Sequence, residues 1–253
     1  MVEDTFENWK PGDYLQEFYG AGVCGDELHA IRFFVEEQRG GKSGPALCFG
    51  CGPTLHHVFS MALHHTDIYL ADYLPENLAE VRKWVEQAPG AHDWRPWARY
   101  TLSCEWGREP SDAEVEARMA LTRARIVKLL PTDAGLENPL GSEFRGYFST
   151  VLTPFCADSA TADKATWRRF SRHIASLVAP GGRLLTSALR HCAHYRVGGR
   201  RFPGANIGED DLRAVLLQDF DPDTVRVEVR EVPGHGDQGY SAILLARSDR
   251  RTV

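Results

Sequence analysis

Apolar positions along the chain keep two rhythms, one helical and one continuous, and their alternation sets the expected order of elements. Between residues 8 and 39 they recur at helical spacing, first Tyr14, Leu15, Phe18 and Tyr19 and then Leu28, Ile31, Phe34 and Val35, which predicts two helices ahead of any strand. Such a pair would form a helical cap over residues 1–40. Gly40, Gly41, Gly44 and Pro45 break that rhythm. Ala46-Leu47-Cys48-Phe49 then forms a short continuous apolar run, as a parallel strand buried on both faces does. The turn Gly50-Cys51-Gly52-Pro53-Thr54 follows, and a helix is predicted from Leu55 to Leu63.

The same order recurs downstream. Ile68 to Ala71 reads as a strand ending at Asp72, and Pro75 to Gln87 as a helix opened by proline at a favoured first position. A third unit takes in Arg99 to Cys104, a charged helix from Asp112 to Lys128 with a largely solvated face, and Leu129 to Ala134. Gly146 to Thr153 reads as a central strand, Asp163 to Val178 as an amphipathic helix stopped by Pro180-Gly181-Gly182, and Arg183 to Leu189 as a strand. The stretch 190–207 is irregular and reads as an insertion on the substrate side. A helix from Gly208 to Asp219 and two strands, Thr224 to Val232 and Tyr240 to Ala246, complete the chain, the last two paired as a hairpin. Alternating strands and helices with a terminal antiparallel pair predict an α/β, doubly wound sheet with a mixed edge.

Composition narrows the setting. A chain of 253 residues, 43% hydrophobic, can bury one substantial core, so a single domain over 1–253 is expected. With 29 Lys and Arg against 35 Asp and Glu there is no cationic field to gather nucleic acid, and a small-molecule partner is expected instead. No segment approaches the ~18 continuous apolar residues that span a bilayer, and the acidic start lacks the basic region of a signal peptide. The expectation is a cytoplasmic, monomeric protein without a membrane partner.

Six cysteines are scattered through the sequence and should be free thiols. Cys48 and Cys51 make a C-x-x-C that could serve redox or metal chemistry, but no second pair completes a zinc site, and the reading is structural. The histidine pairs 56/57 and 64/65 are read as ordinary helix residues, so no metal site is expected.

Gly50 and Gly52 lie between a strand and a helix, where missing side chains let backbone pack against a ligand. Asp72 follows Gly50 at the spacing of about 20 residues at which an acid takes up ribose hydroxyls. The third glycine of a dinucleotide fingerprint is absent, with Leu55 in its place. That favours a nucleoside without phosphates.

Residues Trp9 to Leu15 (WKPGDYL), Gly50 to Thr54 (GCGPT), Ala71 to Asn77 (ADYLPEN), Lys83 to Trp94 (KWVEQAPGAHDW) and the run to Pro180-Gly181-Gly182 resemble the nicotinamide, phenylethanolamine and thioether/indolethylamine N-methyltransferase family. The resemblance covers nearly the whole chain. It implies a Rossmann-like class I methyltransferase fold with a mixed seven-stranded sheet, and S-adenosylmethionine as cofactor. Matched position by position, Tyr14 and Tyr19 would close over the methionine part of the cofactor and act near the reacting carbon. Gly50, Cys51 and Gly52 would form the backbone turn, with Thr54 as the helix-capping threonine. Asp72 would take the ribose, Tyr73 would flank the adenine, and Asn77 would lie near the ribose. Asp133 and Ala134 would read the adenine edge, and Pro154, Phe155 and Asp158 would stand beside the cofactor.

Two departures from the family pattern bear on chemistry. Cys48 occupies the place of an acid near the amine of the methionine tail, so that ammonium loses a nearby charge. Ser187 and Arg190 replace the acids that bind a carboxamide or an ammonium, which argues against nicotinamide and catecholamines. Ser187, Arg190, Tyr195 and Asn206 are the expected acceptor-side residues. Arg190 suggests an anionic acceptor, and His191 or His194 would take a proton. Methyl transfer to a small molecule is the leading reading. The alternative is cyclisation of S-adenosylmethionine itself to azetidine-2-carboxylate and methylthioadenosine, since enzymes of that type resemble the same family.

Overall fold

In the computed structural model, strand β1 (Ala46–Phe49) is wholly buried because it is covered on both sides, Ala46 and Cys48 packing into one core and Leu47 and Phe49 into the other. The structure describes residues 6, 8–23 and 25–252. Around β1 stand β2 (Ile68–Asp72), β3 (Ile126–Pro131), β4 (Phe148–Pro154), β5 (Val178–Leu189), β8 (Arg226–Glu231) and β9 (Ala242–Asp249), in the order β3-β2-β1-β4-β5-β9-β8. The first five strands run parallel, and β9 is antiparallel to both β5 and β8. This is the expected mixed seven-stranded sheet. Because β2 and β4 flank β1, the chain reverses its direction of winding there, and the crevice at the carboxyl ends of β1 and β4 is where such sheets hold ligands.

One face of the sheet is covered by α1 (Pro11–Tyr19), α2 (Gly25–Gln38), α3 (Val58–His64), α4 (Pro75–Val85), α5 (Arg95–Trp106) and α6 (Asp112–Arg125); the other by α7 (Lys164–Ala175) and α8 (Glu209–Asp219). Pro11 and Pro75 each sit in the first turn of their helix, where a missing N–H costs nothing. A reciprocal Ser111–Glu114 capping box starts α6.

Three expectations are corrected. The charged helix ends at Arg125 and not at Lys128, so Ile126 to Lys128 belong to β3; Arg99 to Cys104, to which the sequence assigned no element, lies inside the helix α5. Arg118 of α6 is not on a solvated face. It is buried in a bidentate pair with Glu105 (2.7 and 2.6 Å). The irregular stretch contains a two-stranded ribbon, β6 (His194–Val197) against β7 (Arg200–Pro203), separate from the main sheet. Its Gly198 N–H donates to Glu17 of α1 (2.6 Å), Arg200 donates to the Asn8 carbonyl, and Phe6 stacks on Phe202. The ribbon is thereby tied to the cap.

Five cysteines are free thiols, including Cys48 and Cys51; Cys24 lies outside the described residues. No helix among the described residues is long and apolar enough to cross a membrane.

Candidate active site

A cavity of about 240 Å³ opens at the carboxyl ends of β1, β2 and β4 beneath α1. Its floor is the turn after β1. Gly50 and Gly52 hold left-handed φ values of +68° and +59°, which glycine adopts without steric cost. A Cβ on Gly50 would stand 2.2 Å from Cys156 Sγ, so the turn packs directly on Cys156. Thr54 does not cap the helix, which begins at Val58; its hydroxyl donates to the Cys51 carbonyl (2.7 Å) and closes the turn.

Asp72, at the end of β2, organises that floor. Oδ2 accepts the Gly52 N–H (2.7 Å), and Oδ1 accepts the Leu74 N–H and the Asn77 amide (both 2.9 Å). Burial raises its pKa while these bonds pull it down, with a net rise. A carboxylate offers about four acceptor positions; these donors engage three and leave one on Oδ2. Asn77 Oδ1 in turn accepts the Trp9 indole N–H (2.8 Å), fastening the cap to the floor.

Aromatic rings form the roof. Tyr14 and Tyr19 hydroxyls lie 3.3 Å apart, and Trp9, Tyr14 and Phe18 pack with ring centroids 5.0 Å apart in succession. Burial pushes both tyrosine pKa values up, so both hydroxyls stay protonated. Phe155 takes a left-handed φ of +44°, uncommon for an aromatic residue. It lines the cavity with Pro154, Ala134 and the half-exposed Tyr73.

The structure thus gathers Tyr14, Tyr19, Gly50, Cys51, Gly52, Thr54, Asp72, Tyr73, Asn77, Ala134, Pro154, Phe155 and Tyr195 around one cavity. It places the other expected residues elsewhere. Asp133 accepts the N–H of Gly135 in its own loop (2.7 Å) and does not line the cavity. Asp158 is buried behind the wall, accepting the Leu189 N–H (2.8 Å), and burial raises its pKa to about 6. Ser187 is buried in β5 with no partner for its hydroxyl. Arg190 makes a bidentate pair with Glu209 (2.8 and 3.0 Å) outside the cavity, so its charge is already met. His191 and Asn206 are exposed at left-handed turns, and His194 starts the ribbon; none of them lines the cavity.

Two adjacent acids that the sequence did not single out complete the wall. Asp26 Oδ2 accepts the Tyr240 hydroxyl (2.8 Å), which also lies 3.0 Å from His235 Nδ1, and burial with the neighbouring Glu27 raises the pKa of Asp26 to about 6. Glu27 Oε1 accepts the Tyr19 hydroxyl (3.0 Å) and lies 2.9 Å from His56 Nε2, while Oε2 lies 2.7 Å from His57 Nε2. Burial acts upward on Glu27, but the two imidazoles outweigh it and hold its carboxyl well below the usual range. The histidines read as ordinary helix residues therefore converge on one buried carboxylate. Their ligating atoms lie within 4.8 Å of one another, a His₂Glu set of the type that can ligate zinc.

Comparison with known proteins agrees with this architecture. The model of the NNMT/PNMT/TEMT family matches residues 1–233. Indolethylamine N-methyltransferase of Mus musculus is 30% identical over 86% of this chain and 83% of its own length. Phenylethanolamine N-methyltransferase of Bos taurus is 29% identical over 86% and 79%, and nicotinamide N-methyltransferase of Homo sapiens 27% over 85% and 83%. Among solved structures, N-methyltransferase NodS from Bradyrhizobium japonicum WM9 in complex with S-adenosyl-L-homocysteine superposes with a TM-score of 0.56, covering 98% of this chain and 99% of that one. At 14% identity it speaks to the fold alone. With a family model spanning nearly its whole length and a relative at 30% identity, the chain belongs to the NNMT/PNMT/TEMT family.

Proposed function

We propose that this chain is an S-adenosylmethionine-dependent N-methyltransferase whose acceptor is a small amine. The observation that carries the acceptor's charge is the cavity wall. It holds four carboxylates, Glu17, Asp26, Glu27 and Asp72, and none of the described residues lining it is Lys or Arg. In a partly desolvated cavity this field draws cations and repels an anionic acceptor. The anionic acceptor suggested by Arg190 loses its support, because that guanidinium is paired with Glu209 outside the cavity.

The floor fits the cofactor: a glycine turn no side chain could occupy, and a free acceptor position on Asp72. Gly50, Gly52, Asp72 and Asn77 hold the nucleoside, and Ala134 and Tyr73 border the base. S-adenosylmethionine supplies a methyl carbon made electrophilic by its sulfonium. Trp9, Tyr14, Phe18, Tyr19 and Phe155 exclude water and offer aromatic faces to positive charge. Asp26, its Oδ2 fixed by Tyr240, orients the acceptor amine and is ionised at neutral pH, so it can take up the proton the amine gives away. Leu189 and Tyr195 bound the acceptor's end of the cavity.

Cyclisation of the cofactor needs no second substrate, and the Asp26–Tyr240 pair would then serve none. Incubating the purified chain with S-adenosylmethionine, alone and with a panel of primary and secondary amines, separates the two readings by mass spectrometry. S-adenosylhomocysteine formed only with an amine supports methyl transfer. Methylthioadenosine formed without any acceptor overturns it.

A further inference from the structure

Methyl transfer as described leaves Glu27 without a role. It is 6% exposed, lines the cavity, and takes its contacts from three neighbours: the Tyr19 hydroxyl, His56 and His57. A buried carboxylate costs several kcal/mol unless a cation or a full set of donors meets it. Of about four acceptor positions, the Tyr19 hydroxyl and His57 engage two, while His56 Nε2 stands 2.9 Å from Oε1 without hydrogen-bond geometry, which leaves one position on Oε2 open. No Lys or Arg stands among the described lining residues to take that position.

The position of Glu27 says which cation completes it. Through His57 it touches the segment leaving the glycine turn, five residues after Gly52, and through Tyr19 it joins Tyr14 on the roof. With the ribose at Asp72 on β2, the amino-acid tail of the cofactor crosses the carboxyl end of β1 toward that segment. Cys48 lies buried within β1 and outside the cavity lining, so it offers that tail no charge. We propose that Glu27 binds the α-ammonium of S-adenosylmethionine, in a cage closed by Tyr19 and His57. The assignment rests on the cofactor reading above. It divides the two adjacent acids: Glu27 serves the cofactor amine, and Asp26, turned to Tyr240, serves the acceptor. A cofactor amine paired in this way stays protonated and cannot attack its own carbon chain.

The test uses S-adenosylhomocysteine, its analogue with a hydroxyl in place of the α-amine, and methylthioadenosine, in titration calorimetry with the whole chain. The wild-type protein should bind the hydroxyl analogue about 30-fold more weakly than S-adenosylhomocysteine, as expected for about 2 kcal/mol. Glu27→Gln should lose about the same factor for S-adenosylhomocysteine while its affinities for the hydroxyl analogue and methylthioadenosine change less than about two-fold, the signature of a direct pair. Equal wild-type affinity for the amine and the hydroxyl compound overturns the Glu27 assignment alone, whether or not the variant folds. Equal losses for all three compounds in Glu27→Gln overturn it as well. So does one equivalent of zinc retained by the wild-type chain and lost in His57→Ala. Failure of wild-type protein to bind S-adenosylhomocysteine overturns the cofactor reading together with it.

Discussion

Trp9 and Asn77, 68 residues apart, meet in a 2.8 Å hydrogen bond from the indole N–H to the side-chain oxygen, and Asn77 passes that contact on to Asp72. The cap is therefore bonded, through Asn77, to the carboxylate proposed to hold the sugar. Trp9→Phe keeps the ring and removes the donor. It should weaken S-adenosylhomocysteine binding about three- to ten-fold, in line with the roughly 1 kcal/mol of a single hydrogen bond, with little change in thermal midpoint. Asp72→Asn should weaken it much more, because one amide oxygen cannot serve three donors and a sugar. Calorimetry on the two variants ranks them, and an unchanged affinity in Asp72→Asn would remove the nucleoside from this floor.

Gly50 permits no substitution. Gly50→Ala places a Cβ 2.2 Å from Cys156 Sγ and 2.6 Å from Cys156 Cβ at a φ of +68°, and overpacking of this kind costs about 1–3 kcal/mol beyond the left-handed penalty. Adding Cys156→Gly should recover the steric part and leave the conformational part of about 1 kcal/mol. Urea denaturation of the two variants measures the split.

Asp26 should affect the acceptor and not the cofactor. Asp26→Asn is expected to raise the acceptor KM and lower kcat, while S-adenosylhomocysteine affinity stays within about two-fold. In the wild type, kcat/KM should fall on the acid side with an apparent pKa near 6, where Asp26 takes up its proton. Loss of that limb in Asp26→Asn ties it to this residue; a limb that persists assigns it elsewhere.

Asp158 gives a stability prediction of fixed sign. Its folded pKa of about 6 lies above its unfolded value, so the folded state binds the proton more tightly. The resulting stability is present below the unfolded pKa and lost as pH rises through about 6. Relative to Asp158→Asn, the wild type should gain on the order of 2–3 kcal/mol between pH 7 and pH 4, from about two pKa units at 1.36 kcal/mol each. Denaturation curves at the two pH values test this, and a gap that widens in the other direction refutes it.

The sequence revealed those parts of the protein whose signals are local. Ala46–Phe49 and Ile68–Asp72 stand out because strands buried on both faces are continuously apolar, and the meeting of the glycine turn with Asp72 because both stand at the ends of neighbouring strands at a fixed spacing. Ribbon β6–β7 escapes because its buried side chains, Tyr195, Val197 and Phe202, are too few to set a period amid arginine and glycine. Arg190 misled for a related reason, since its partner Glu209 lies 19 residues away on another element. Most hidden were the two wall acids. Asp26 is defined by Tyr240, 214 residues on, and Glu27 by His57, 30 residues on, and no spacing rule joins residues brought together only by the packing of α2 against α3 and the last hairpin.

Because Glu17, Asn8 and Phe6 hold the β6–β7 ribbon, the cover over the cavity is stitched from the two halves of the chain. Under the proposed function, departure of the demethylated nucleoside is expected to need both pieces to lift together. Cutting the seam with Glu17→Ala should hasten escape of the spent cofactor in stopped-flow displacement while letting bulk water reach the reacting carbon.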